Sequence, residues 1–259
     1  MILKNTVKTL AVRINKKNFA AGESKYNLTL RDLIVKLAQS KHEFDIEVVL
    51  CGFPRSGTHW IRNVISKSLD KYCPSIDDID YLRVRKQKEL PVLKVHARSK
   101  LIAKLKMFFL LPPHKSKNKF IYVYRDPRDA IISLYNMYNI LKNKNLSQQQ
   151  FLELYDPIGQ YSWEVNSWVL KENKNTLVVR FEDLKVNTNK AFSQILTFID
   201  SSANLNKNAF KELVGQVEKN NRAKGSLFGW KNSYSNYKTL IDEVNLKLSN
   251  EIKLLGYDE

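Results

Sequence analysis

Cysteine is scarce in this chain. Cys51 and Cys73 are its two occurrences, too few for a disulfide framework and without a metal-site spacing. Histidine occurs four times and forms no metal-ligand cluster, so no metal is expected. Long apolar runs are missing too. The most apolar one, Met107 to Leu111, is far shorter than the ~20 residues a membrane helix needs. The first residues hold no signal-peptide core. These absences predict a soluble, cytoplasmic protein with no transmembrane segment. No Gly-, Pro- or Ser-rich linker and no internal repeat divides the 259 residues. The chain therefore reads as one domain over 46–259, with residues 1–45 an N-terminal extension packed on it.

Acidic residues are the other shortage: 26 Asp and Glu stand against 43 Lys and Arg, a formal net charge of +17. A field of that sign attracts a small anionic cofactor, a nucleic acid or an anionic membrane surface. Lysines scattered over helix faces for solubility give the same total, so the charge alone names no partner.

What is present is an alternation of short β-branched runs with helical periodicities. Ile46 to Cys51 reads as a buried strand. A helix from Trp60 to Leu69 follows, with Ile61, Val64, Ile65 and Leu69 as its stripe. Further strands are expected at Val92–His96, Phe120–Tyr124 and Thr176–Phe181. Helices are expected at 29–38, 128–140, 163–171, 188–199 and 209–217, with an amphipathic tail over 240–255. Asp126 caps the 128–140 helix, with Pro127 at its first position. This order predicts an α/β fold, a P-loop-like three-layer α/β/α arrangement around a mainly parallel sheet. Ligands of such folds bind at the carboxyl ends of the strands.

The charged motifs fall at those ends. Gly52 and Gly57 have P-loop spacing between a strand and a helix. Backbone N–H groups in such a loop, with the helix N-terminus, make an anion site. A nucleotide kinase would place Lys and then Ser or Thr after Gly57, whereas this chain has Thr58 and His59. The cation sits inside the loop instead, at Arg55. The missing lysine and magnesium-binding hydroxyl argue against a triphosphate.

The loop Pro54-Arg55-Ser56-Gly57-Thr58-His59-Trp60 resembles the 5′-phosphosulfate loop of the sulfotransferases that use 3′-phosphoadenosine 5′-phosphosulfate (PAPS), which typically reads Pro-Lys-Ser-Gly-Thr-Thr-Trp. Arg replaces Lys, keeping the charge but substituting a planar fork, and His59 replaces the second Thr. Two more segments are similar to that family. Arg125 ends a strand and Ser133 follows eight residues later, the family's 3′-phosphate pattern. Arg222-Ala223-Lys224-Gly225 with Trp230 and Lys231 resembles its late Arg-Lys-Gly segment, with Arg222 one place upstream and the second glycine displaced by one. Phe181-Glu182-Asp183-Leu184 is similar to a Tyr-Glu-Asp segment whose aromatic lies near the adenine. The resemblance extends from about Val48 to Tyr257.

The resemblance implies PAPS as cosubstrate and no metal. It places Arg55, Ser56, Gly57, Thr58, His59, Trp60, Arg125, Ser133, Phe181, Phe210, Arg222, Lys224 and Gly225 around that nucleotide. Lys94-Val95-His96 resembles the family's Lys-Thr-His, which makes His96 the general base, with Arg55 and Lys94 assisting; His59 is the competing histidine. The acceptor expected is a small-molecule, lipid, carbohydrate or peptide hydroxyl or amine. Tyr135, Tyr138, Tyr155 and Tyr161 are candidates to line its pocket. Two other readings stay open: a P-loop small-molecule kinase, and a basic nucleic-acid-binding module, for which no recognised motif is present. Read alone, Arg125 is as compatible with a surface ion pair to Asp129 as with a phosphate contact.

Overall fold

The computed structural model describes residues 44–75, 89–95, 114–141, 143–170, 175–202 and 227–258. The expected helices at 29–38 and 209–217 lie outside them, as do His96, Phe210, Arg222, Lys224 and Gly225.

Four parallel strands form the centre: β1 (Phe44–Gly52), β2 (Glu89–Lys94), β3 (His114–Tyr124) and β4 (Thr176–Arg180), in the spatial order β2-β1-β3-β4. Parallel pairing requires crossovers, and these cover both faces of the sheet. That explains why β1 is apolar on both faces apart from Glu47, with Ile46, Val48, Val49, Leu50 and Cys51 all fully buried. Alternate residues point to opposite layers. Val48, Leu50, Ile121 and Val123 pack on one side with α1 (Thr58–Ser68) and with residues of α5 (Phe181–Val186) and α6 (Thr188–Ile199). On the other side a second core joins Ala130, Ile131 and Leu134 of α2 (Pro127–Asn136), Phe151 of α3 (Gln148–Tyr155) and Tyr161 and Val165 of α4 (Pro157–Trp168). A short helix α7 (Gly229–Asn232) precedes α8 (Lys238–Lys247) and α9 (Ser249–Leu254), whose Leu240, Ile241, Val244 and Ile252 close that core. The three-layer α/β/α expectation holds.

Several boundaries differ from the periodicity, each for a local reason. Helix α4 starts at Pro157, earlier than expected, because the Asp156 side chain accepts from Gly159 N and a proline follows it. Helix α2 yields to a π-helical turn over Met137–Leu141. Strand β3 begins at His114, where a polar stretch continues the parallel pairing with β1. Phe181 opens α5 instead of ending β4. The tail is two helices, broken at Leu248.

The strand order fixes where a ligand belongs. The chain passes from β1 outward to β2, then crosses back to the other side of β1 to make β3. The crevice at the carboxyl ends of β1 and β3 is therefore the switch point of the sheet. Among the described residues no helix is long and apolar enough to cross a membrane.

Both cysteines are unbridged and buried, and burial pushes the Cys73 thiol up to about 12. Since the thiolate is the reacting form, the native protein should release no rapid chromophore from Ellman's reagent, and both thiols should titrate after denaturation. Fast reaction of one thiol in the native state would contradict this packing.

Candidate functional site

The turn after β1 is built by two left-handed residues. Arg55 has φ 73° and Gly57 has φ 91°. Alternating backbone hands of this kind turn successive N–H groups toward one concavity, an anion nest. Ser56 N is held by the Phe53 carbonyl at 3.1 Å, and the Gly57 carbonyl accepts from Trp60 and Ile61 as α1 begins. Gly52 lets β1 pass close to β3: a Cβ there would lie 2.7 Å from the Val123 carbonyl oxygen. Gly57 is fixed twice over, because a Cβ would also stand 2.5 Å from the Phe181 ring.

Inside this nest Ser56 is fully buried, and its Oγ has no hydrogen-bond partner among the described residues. A buried hydroxyl left unmatched costs about 1–3 kcal/mol. Such an atom is expected where a ligand completes the site.

The turn after β3 meets this loop from the side. Arg55 Nε donates to Ser133 Oγ on α2 at 3.1 Å, and Arg125 Nη1 donates to the Arg55 carbonyl at 3.4 Å. The two sequence motifs, far apart in the chain, therefore share direct hydrogen bonds. Burial lowers the pKa of the Arg55 guanidinium, and the neighbouring Arg125 cation lowers it further. Two guanidinium groups in such a crevice favour an anion between them.

Arg125 does pair with Asp129, at 3.3 Å, but both side chains are buried, so this is no surface ion pair. Burial raises the Asp129 carboxyl, against the pull of Arg125. Phe181 lies beneath both motifs, touching the Gly57 position, with the Arg125 guanidinium 4.8 Å from its ring centre. Trp60 packs edge-on against Phe181 and Phe192. Thr58 is buried at the first position of α1, with its methyl against Gly52.

Lys94 ends β2 beside β1, and its side chain is almost wholly buried. Its Nζ lies 3.0 Å from Nε2 of His59. An ammonium can only donate, so this ring nitrogen accepts. Lys94 thus reaches the loop through the histidine that departs from the family pattern. Trp230 is docked on the Arg125 turn: its backbone N–H donates to Asp129 Oδ1 at 2.9 Å and its indole to Asp126 Oδ2 at 3.2 Å.

A sequence model of the sulfotransferase domain matches residues 45–243. The chain belongs to the sulfotransferase domain family. Within that family it is 26% identical over 176 residues to human sulfotransferase 2A1, covering 60% of this chain and 59% of the relative. It is 29% identical to a 3-alpha-hydroxysteroid sulfotransferase of Cavia porcellus, with the same coverage. It is 23% identical to the luciferin sulfotransferase of Photinus pyralis, covering 69% and 58%. The chain thus spans about three fifths of the length of these relatives. Its fold is that of mouse sulfotransferase SULT7A1 complexed with PAP (TM-score 0.53, 20% identity, 84% of this chain and 89% of that one). It is likewise that of retinol dehydratase in complex with androsterone and PAP (TM-score 0.55, 16% identity, 80% of each chain).

The tyrosines of this region have structural partners that the sequence pattern does not mark. Tyr161, expected to line an acceptor pocket, is fully buried and donates its hydroxyl to the Arg125 carbonyl at 2.5 Å. Tyr135 donates to the Leu146 carbonyl, while Tyr138 and Tyr155 pack ring to ring at 4.1 Å. Glu182 and Tyr257 bond to each other behind the Arg125 turn. Glu182 stood inside a quoted motif, but nothing in the pattern marked Tyr257.

Gly57→Ala should lower stability by about 1–3 kcal/mol from backbone strain alone, and further through the clash with Phe181. The melting temperature should fall by several degrees. An unchanged value would contradict the left-handed loop.

Proposed function

We propose that this chain moves a sulfonate group from PAPS to the hydroxyl or amine of a small-molecule acceptor and releases adenosine 3′,5′-bisphosphate. The observation that carries this reading is the junction of the Gly57 loop with the Arg125–Ser133 pair at the switch point of the sheet. One anion cradle is built of backbone N–H groups and Arg55, the other of a guanidinium and a hydroxyl. A nucleotide with a phosphate at each end of its ribose suits both, and a magnesium triphosphate suits neither. The family membership supports the same chemistry.

In this reading Ser56, Gly57, Thr58 and His59 hold the 5′-phosphosulfate, with Arg55 on the bridging oxygen. Arg125 and Ser133 take the 3′-phosphate, and Arg222, Lys224 and Gly225 add contacts to the same nucleotide. Phe181, Trp60 and Phe210 are the aromatics offered to the adenine. His96 accepts the proton of the acceptor as its oxygen or nitrogen attacks sulfur. The sulfur–oxygen bond to the phosphate breaks, and the bisphosphate leaves with that electron pair. Arg55 and Lys94 offset the charge that grows on the leaving oxygen. The protein's contribution is positioning and electrostatic stabilisation. Relatives named for hydroxysteroid, luciferin and amine sulfotransfer favour a small organic acceptor over a polymer.

Adenosine 3′,5′-bisphosphate should raise the melting temperature where Mg-ATP does not; the reverse result would favour a kinase. His96→Ala should lower turnover by roughly 10²–10⁴-fold, the usual worth of a general base, while nucleotide affinity stays. Arg125→Ala should weaken the nucleotide instead. Full activity in His96→Ala would remove that residue from the base role.

A further inference from the structure

Beneath the Arg125 turn lies a layer of buried polar groups that the chemistry above does not use. Its centre is one peptide unit, the bond between Arg125 and Asp126. The carbonyl oxygen of that unit accepts from Tyr161 Oη at 2.5 Å. The N–H of the same unit donates to Glu182 Oε1 at 3.1 Å. A peptide is planar, so a partner on each side fixes the plane and with it the direction in which the Arg125 side chain leaves the backbone.

Glu182 is itself held. Its Oε2 accepts from the Tyr257 hydroxyl at 2.6 Å, and Arg180 Nε lies 3.6 Å away. Tyr257 closes the circuit, because its backbone carbonyl accepts from Arg128 Nη2 at 2.6 Å. Arg128 in turn grips the Asp126 carboxylate through Nε at 2.9 Å and Nη2 at 2.7 Å. The ring of contacts thus runs from Asp126 N–H through Glu182, Tyr257 and Arg128 back to the Asp126 side chain. Tyr257 and Glu182 are almost wholly buried. The Arg180 guanidinium covers the Tyr257 ring at 4.3 Å and donates to the Gly256 carbonyl at 3.2 Å. Burial raises both the Glu182 carboxyl and the Tyr257 hydroxyl, so the phenol remains the donor.

We propose that Tyr257, acting through Glu182 and the 125–126 peptide, is a positioning residue that aims Arg125 at the 3′-phosphate of the nucleotide. It does so from a segment more than 120 residues downstream, with no role in contacting the ligand. The proposal rests on the nucleotide reading given above. Its signature is selective. A mis-aimed Arg125 weakens a nucleotide that carries a 3′-phosphate and spares one that lacks it, whereas general loosening of the fold weakens both.

The test is calorimetric titration of wild type and Tyr257→Phe with adenosine 3′,5′-bisphosphate and with adenosine 5′-phosphate. Wild type should prefer the bisphosphate. Tyr257→Phe should lose about tenfold of its bisphosphate affinity, the scale of one hydrogen bond to a charged group. Its affinity for the monophosphate should change by less than about threefold, within the spread of distant substitutions. Tyr161→Phe, which frees the other edge of the same peptide, should give the same split. An unchanged ratio, or equal losses for both nucleotides, overturns the proposal. A wild type with no preference for the bisphosphate overturns the nucleotide reading itself.

A second measurement needs no variant. In the wild-type chain the bisphosphate should slow amide exchange at Asp126 and over 255–258 more than the monophosphate does, because coupling between sites is reciprocal. Equal protection by the two nucleotides would overturn the proposal even if Tyr257→Phe failed to fold.

Discussion

Two guanidinium groups, Arg55 and Arg125, are brought together at the carboxyl ends of neighbouring parallel strands, and their mutual repulsion is the constraint around which the site is organised. Like charges in a half-buried crevice raise the free energy of the empty site and lower that of the site with an anion in it. The fold holds them there by backbone means. Arg55 sits on a left-handed turn whose carbonyl accepts from Arg125, and Ser133 accepts from Arg55. The unmatched Ser56 hydroxyl belongs to the same arrangement. In the proposed reading, this charge repulsion and the unmatched hydroxyl favour an anion at this corner, the preorganisation expected of a site for a transferring anionic group.

Holding that crevice in shape takes a second tier of charged groups. Asp126, Asp129 and Glu182 accept from the Arg128 guanidinium, the Trp230 indole and amide, the Asp126 amide and the Tyr257 hydroxyl. Arg128 is also stacked on Trp230, 3.9 Å from its ring centre. Buried ion pairs of this kind add little net stability over an apolar core, but breaking one by removing a partner costs roughly 3–5 kcal/mol. Their service here is directional. They tie three distant stretches, 125–129, 180–182 and 228–257, to one corner of the sheet.

Much of the fold was legible because its signals are local. The β-branched, largely apolar run of β1, the Asp126-Pro127 start of α2 and the stripe of α1 each follow from one short window. The phosphate loop and the Arg125–Ser133 spacing were readable for the same reason. What stayed hidden depends on long-range geometry. Tyr161 looked like a pocket residue because aromatics near a site look alike in sequence; its hydroxyl proved to serve the Arg125 carbonyl. Tyr257 has no neighbours in sequence that mark it, and Glu182 and Arg128, which bond to its hydroxyl and carbonyl, lie more than 70 residues away. For Arg125 the sequence left a surface ion pair with Asp129 and a phosphate contact equally open; three-dimensional packing makes the Arg125–Asp129 pair a buried one.

The central claim is that the loop around Gly57 and the pair Arg125–Ser133 grip opposite ends of one nucleotide. A crystal structure of the complex with adenosine 3′,5′-bisphosphate tests this most directly. The 5′-phosphate should lie in the backbone nest with Ser56 Oγ bonded to it, and the 3′-phosphate should bridge Arg125 and Ser133. A nucleotide bound with only one phosphate in these contacts, or bound at another face of the sheet, would contradict the account.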